Sequence, residues 1–301
     1  MNRMFLRKKK NFSDKCKEKM WILLTLFYGL AKGARDGIKK KALEKSGVME
    51  VLFLHTALAF LLTIPFSSDI YLIEPIYYFW IFLKSFVIFL AWILAFVSIK
   101  KMPISLYGIM DTARMLFSTV IALAFLGETM TLLKGIGLML VLSGLVLVNV
   151  GNNHNSDGNV KLKYMVFSLL ACLFNAISGC MDKALMQTGE ITALQLQFWY
   201  MLYLTLMYGI YVLAARVPIR LSTVKTNYWI VILSVLFVMA DRALFVANAD
   251  LNSEVTVMTL IKQSSVIVTV LSGKLFFDEK HILKRTVCAA IVVAGIVVAT
   301  L

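Results

Sequence analysis

Blocks of apolar residues about twenty long, interrupted by brief polar stretches, fill this chain almost from end to end. They fall near residues 20–38, 47–65, 76–99, 103–126, 131–150, 161–186, 191–215, 227–249, 254–277 and 281–301. A helix rises about 1.5 Å per residue, so about twenty residues cross the ~30 Å hydrocarbon core of a bilayer. A helix also satisfies its backbone groups internally, as a lipid environment demands. The pattern predicts an all-α integral membrane protein with ten transmembrane helices. Residues 1–19 are left as a basic tail, and the Asn/Gly/Asp-rich stretch Gly151 to Val160 is left as a polar linker. These separate the spans into two blocks, 20–150 and 161–301.

The two blocks resemble each other. Phe125 to Val150 (FLGETMTLLKGIGLMLVLSGLVLVNV) lies without a gap over Phe276 to Leu301 (FFDEKHILKRTVCAAIVVAGIVVATL). Phe125 then pairs with Phe276, Glu128 with Glu279, Lys134 with Arg285 and Gly144 with Gly295. Carried backwards, the register sets Asp111 against Lys262 and Pro103 against Glu254. A second register lays GARDGIKKKALEKSG (Gly33 to Gly47) over NAISGCMDKALMQTG (Asn175 to Gly189). Five spans per copy is an odd number, so the second copy enters the membrane upside down. Two inverted five-helix repeats point towards a transporter.

Composition agrees with a lipid environment. Apolar residues make up 60% of the chain and charged residues only 16%, with mean hydropathy +0.81, whereas a soluble domain carries about a quarter charged residues. The formal charge of +14 would suggest nucleic acid in a soluble protein. Here the cations sit in the tail and in interhelical loops, where the bilayer's anionic headgroups are the partner and no nucleic acid is expected. The tail argues for a cytoplasmic N-terminus. Lys39, Lys40, Lys41, Lys45, Lys100, Lys101, Arg216, Arg220 and Lys225 crowd the opposite side and argue against it. The tail precedes the first span, so N-in is the expectation, in the cell (inner) membrane as a multi-pass protein. Cys16, Cys172, Cys180 and Cys288 have no CxxC spacing and are expected to be apolar fillers, with no disulfide, metal or cofactor.

A charge at the bilayer centre costs about 2.5–3.5 kcal/mol on insertion scales, so ionisable residues within spans are candidates for function. In the fourth span Tyr107, Asp111, Arg114 and Ser118 share one helical face, and in the ninth Met258, Lys262, Ser265, Thr269 and Ser272 do so. Two such stripes are expected to line one interior, with Asp111 and Lys262 paired across it or Asp111 paired with Arg114. Asp241 and Arg242 in the eighth span are adjacent, about 100° apart round the helix, and so point to different neighbours. Lys84 lies deep in the third span. Arg35 and Asp36 lie late in the first, where snorkelling to the interface is expected. The expected substrate-binding set is Tyr107, Asp111, Arg114, Lys262, Ser265, Asp241, Arg242 and Lys84, with Asp111 or Asp241 as the coupling carboxylate and no catalytic residue. Phe27, Tyr28, Trp80, Trp92, Phe198, Trp199, Tyr200 and Tyr203 form a candidate aromatic box. Gly29, Gly33 and Gly37 recur every fourth residue and suggest close packing. His55 is expected to be a hydrogen-bonded structural residue. Glu128 and Glu279 are expected to cap or pair at helix ends.

Each repeat ends in an apolar fourth helix, an acidic turn (Leu126-Gly127-Glu128; Phe277-Asp278-Glu279) and a glycine-bearing fifth helix. This arrangement resembles the drug/metabolite transporter superfamily, specifically its EamA-type members, over nearly the whole chain. The second repeat departs from it with Asp-Glu where the first has Gly-Glu. The resemblance implies a secondary carrier with its cavity between the halves. Members move amino acids, nucleotide sugars, organic phosphates, quaternary amines and drugs. With Lys84, Arg114, Arg242 and Lys262 outnumbering Asp111 and Asp241, a small-molecule amino acid, other zwitterion or organic anion is favoured. An exporter of organic cations and a non-transporting receptor are the alternatives. Enzyme motifs such as HExxH and GxSxG are absent from the sequence, and Ser272-Gly273-Lys274 lacks the rest of a P-loop. Monomer and homodimer are both open.

Overall fold

The computed structural model describes residues 20–66, 70–150, 162–278 and 282–300. The tail, the linker, Cys16, His154, His281 and Glu279 lie outside the described residues. Every element among the described residues is helical: α1 (Met20–Lys45), α2 (Val48–Thr63), α3 (Pro75–Lys101), α4 (Ile104–Met110), α5 (Ala113–Phe125), α6 (Leu132–Val150), α7 (Leu162–Gln187), α8 (Ala193–Ala214), α9 (Ser222–Thr226), α10 (Trp229–Ala249), α11 (Val255–Lys262), α12 (Ser265–Phe277) and α13 (Ile282–Thr300).

Local chemistry sets several boundaries. Pro75 opens α3, where its missing N–H is no loss. Thr192 and Gln195 form a reciprocal cap on α8, with Gln195 N donating to Thr192 Oγ1 at 3.2 Å and Thr192 N to Gln195 Oε1 at 2.8 Å. Glu128 reaches across the protein to cap α11: its carboxylate accepts from Val255 N, from Thr256 N at 3.0 Å and from Thr256 Oγ1 at 2.6 Å. Two lysines expected in loops lie within helices, Lys40 in α1 and Lys100 in α3, and serve as helix caps as well. Lys40 donates to Met102 O at 2.9 Å and Lys100 to Ser46 O at 2.8 Å.

Seven helical stretches among the described residues are long and apolar enough to cross a membrane: Val48–Phe66, Pro75–Lys101, Ile104–Phe125, Leu162–Gln187, Ala193–Ala214, Trp229–Ala249 and Val255–Phe277. The sequence pattern predicts ten. The first predicted span, α1, is long enough but carries Lys32, Arg35 and Asp36 inside its apolar run. The apolar parts of α6 and α13 are shorter, Leu132–Gly144 and Thr286–Gly295. Outward faces carry bare hydrophobic side chains such as Leu23, Phe125, Leu213 and Leu275, which suits a lipid surround and no aqueous one.

Two stretches read as single spans are broken helices. Between α4 and α5 the backbone switches to i→i−3 bonds, Thr112 N to Ile109 O at 3.1 Å and Met115 N to Thr112 O at 3.0 Å. Between α11 and α12 it does the same, Gln263 N to Leu260 O at 2.9 Å and Val266 N to Gln263 O at 2.9 Å. Packing pairs recur as well: α1 lies on α10 and α3 on α7; α1 on α12 and α7 on α5; α2 on α8; α6 on α13.

Glycines set how closely these helices approach. A Cβ on Gly33 would collide with the backbone carbonyl of Ser265 on α12. On Gly295 it would stand 2.7 Å from Gly137 O and 3.0 Å from Val141 Cγ2; on Gly144, 3.1 Å from Cys288 O and 3.0 Å from Val292 Cγ2. The small-residue stripe of α1 and the crossing of α6 with α13 are therefore contact surfaces between backbones.

Candidate functional site

A cavity of about 110 Å³ opens between these helices, lined by α1 to α5, α7, α8, α10 and α11. It is strongly charged for a membrane interior. Lys32, Arg35, Lys39, Lys84, Arg114 and Lys262 face it, as do Asp36, Asp182 and Asp241.

The charges are organised in pairs. Asp111 receives Lys32 from α1 and, at 3.0 Å, Arg114 Nη2 from its own broken helix; the Cys172 thiol stands 3.9 Å from its Oδ1. Asp36 pairs with Lys39 at 2.8 Å and Lys32 at 3.9 Å. Arg35 Nη1 meets Asp241 Oδ1 at 3.1 Å, and its guanidinium stands 5.2 Å from the centre of the Tyr28 ring and 4.8 Å from that of Phe237. Lys84 Nζ meets Asp182 Oδ1 at 2.8 Å, with the Tyr200 ring centre at 3.5 Å and that of Phe245 at 4.9 Å. A ring face attracts a cation without neutralising it, so each of these two sites is a carboxylate plus an aromatic seat.

Lys262 differs. It sits 5.7 Å from the Tyr28 ring centre and makes no ion pair among the described residues. The Arg114 Nε, also buried, has no hydrogen-bond partner there. The expected Asp111/Lys262 pair does not form. Equivalence in sequence register places both residues beside a helix break, but Lys32 and Arg114 have already taken the carboxylate.

Of the expected site residues, Tyr107, Arg114, Lys262, Asp241 and Lys84 line the cavity. Asp111 lies behind Lys32 and Arg114. Ser265 accepts from Lys32 Nζ at 3.3 Å. Arg242 is turned elsewhere: its Nε donates to Gln197 Oε1 at 3.0 Å and its guanidinium lies over Phe66. The C-terminal part of the ninth-span stripe leaves the cavity: past the break at Gln263, Thr269 packs against Gly108 of α4 and Ser272 against Gly37 of α1. Of the aromatic set, Tyr28, Trp92 and Tyr200 line the cavity, whereas Phe27 and Trp80 are exposed. Trp199 anchors outside it, donating from Nε1 to Ile70 O at 2.9 Å. His55 Nδ1 is 3.0 Å from Ser234 Oγ, and its ring stacks on Trp92. Cys172 and Cys180 are buried free thiols, and Cys288 is buried as well.

Snorkelling is the wrong description of Arg35 and Asp36, which are 6% and 3% exposed. Helix α1 continues to Lys45, beyond the apolar run, so these residues lie within it and not at its end. Lys32, Lys39 and Asp182 also belong to the site without having been singled out. The signal for Asp182 is present in the sequence, as a carboxylate in the sixth apolar block opposite Lys40 in the front-end register.

Residues 19–150 match the model of the EamA-like transporter family, which belongs to the drug/metabolite transporter superfamily. No curated protein matches the chain. A solved crystal structure of a protein shares the fold at TM-score 0.62, covering 91% of this chain and 98% of that one at 14% identity.

Proposed function

We propose that this chain, a multi-pass membrane protein whose residues 19–150 belong to the EamA-like transporter family, is a secondary carrier. It moves a small anionic or zwitterionic metabolite across the cell (inner) membrane by alternating access, coupled to protons or to exchange. The observation that carries the substrate class is Lys262, a cavity cation with a ring beside it and no carboxylate. Six cavity cations against four aspartates, Asp111 included, leave a formal excess of two positive charges. A substrate carboxylate or phosphate can use the open donors of Lys262 and Arg114, with Tyr107 beside them. An organic cation finds every carboxylate of the site already occupied.

Alternating access rests on reading α1–α6 and α7–α13 as inverted five-helix repeats with ten spans. Three features support it. In the register that pairs Gly144 with Gly295, Cys288 and Val292 fall on Gly137 and Val141, so the two glycine contacts of α6 with α13 are one contact seen twice. The helix breaks after Met110 and after Lys262 fall within one residue of equivalence. The packing pairs exchange when the halves are exchanged. Broken helices at the midplane supply polar backbone to a substrate site, and halves related this way can rock about it.

The test is thermal stabilisation of purified protein by amino acids, organic phosphates, nucleotide sugars and quaternary amines. A compound binding only the folded state at 100 times its dissociation constant adds about 2.7 kcal/mol. Stabilisation by an anion or zwitterion that is lost in Lys262→Ala supports the reading, followed by uptake of that compound into proteoliposomes. Stabilisation only by quaternary amines, lost in Asp111→Asn, overturns it.

A further inference from the structure

Resting on the carrier reading above, we infer that Asp182 is the carboxylate that takes the coupling proton, and that Lys84 is the ammonium it then releases to the substrate's anionic group. Neither of the aspartates favoured by sequence fits this role. Asp111 is held by Lys32 and by Arg114. Asp241 is held by Arg35. A guanidinium keeps its charge at any physiological pH, so a proton arriving at either carboxylate would strand a buried arginine. Asp36 has two lysines.

Asp182 has one partner, a lysine, and no other donor among the described residues reaches its Oδ1. Its surroundings complete the device. Lys84 sits on the Tyr200 and Phe245 rings, which seat an ammonium once its carboxylate is neutral. The other charges brought near by elements packed on α7 are Arg114 from α5, Asp241 from α10 and Asp111 beyond α4, with Lys262 of α11 across the cavity. Lys183, the neighbour of Asp182 along α7, is committed to capping, donating to Asn248 O at 3.1 Å and Asp250 O at 3.0 Å.

The step balances in charge. The Asp182 carboxylate gains a proton and becomes neutral, Lys84 keeps its proton, and an anion X⁻ replaces the carboxylate as its counter-ion. Proton and anion enter together, so the loaded site carries the charge of the empty one. Such a site accumulates an anion along a proton gradient, up to about tenfold per pH unit for one proton per anion.

Two readouts test the inference on the full chain. In infrared spectra of the purified protein during acidification, the carbonyl band of a protonated buried carboxyl is expected in the wild type, in Asp111→Asn and in Asp241→Asn. It is expected to be missing from Asp182→Asn and from Lys84→Gln/Asp182→Asn, the double variant leaving no lone lysine to disturb the fold. A band that survives in both Asp182 variants, or is absent from the wild type, overturns the inference. In proteoliposomes, the compound that stabilises the wild type is expected to accumulate along a pH gradient and to stop doing so in Asp182→Asn; continued accumulation also overturns it. If no compound stabilises or enters, the carrier reading fails, while the band still decides which carboxylate takes the proton.

Discussion

The interface of α1 with α10 and that of α3 with α7 each hold one buried ion pair, and they differ first in its cation. Each sets a cation against two aromatic rings and a single aspartate: Arg35 with Tyr28 of α1, Phe237 of α10 and Asp241; Lys84 with Asp182 and with rings from outside the interface, Tyr200 of α8 and Phe245 of α10. The first cation is a guanidinium, which cannot give up its charge. The second is an ammonium on a flexible stem, whose partner can be exchanged. The signs are reversed as well, α1 contributing the cation and α7 the anion. On the proposed inverted-repeat reading the two are equivalent interfaces, one a fixed clamp and the other the releasable contact inferred above. Rocking halves need such an asymmetry if one ion pair is to respond to substrate while the other keeps the fold.

The largest effect is expected from breaking the clamp. Asp241→Ala leaves Arg35 buried without a counter-ion, and removing one partner of a buried pair costs about 3–5 kcal/mol. Asp182→Ala is expected to cost clearly less, because the flexible four-carbon stem of Lys84 lets its ammonium turn to another acceptor in the cavity, whereas the planar fork of Arg35 is fixed. Thermal unfolding of the two variants in one detergent checks this; equal losses would erase the distinction between the interfaces.

That distinction depends on contacts the sequence exposes only in part. The helical class, the polar face of the fourth span and the depth of Lys84 and Asp241 follow from spacing alone, because periodicity records which side of a helix avoids lipid. Partners do not follow. Asp111 aligns with Lys262 in register, yet Lys32 reaches it from α1, a helix whose charges interrupt its apolar run and hide how far it continues. The same interruption makes Arg35 and Asp36 resemble interfacial residues. In the ninth span the stripe is legible but its continuity is not: the backbone changes to i→i−3 bonds at Gln263 and Thr269 beyond it packs on Gly108, and no residue type there announces a break.

A smaller effect sharpens the likeness between the halves. Gly144→Leu and Gly295→Leu each force a side chain into the crossing of α6 with α13, and overpacking costs about 1–3 kcal/mol. Equivalent contacts predict similar losses for the two variants in the same unfolding assay. A large loss at one glycine and none at the other would contradict the shared register. Glu128→Gln comes next. It weakens the cap on Val255 and Thr256, at about 0.5–2 kcal/mol, and the loss should appear as faster hydrogen exchange at the start of α11.

The smallest expected effect on stability tells the most about the comparison. Lys84→Arg gives the α3–α7 pair the same cation as the α1–α10 pair: a guanidinium on two rings against one aspartate. Charge, ring contacts and ion pair all survive, so unfolding should shift by less than about 1.5 kcal/mol, the range of a tolerated volume change. Transport should respond differently, because the arginine holds Asp182 in two-pronged contact and has no second state to offer. Accumulation along a pH gradient is expected to vanish in a variant that unfolds like the wild type. If accumulation persists, the ammonium of Lys84 is not what separates the two interfaces, and the clamp and the releasable contact are the same device.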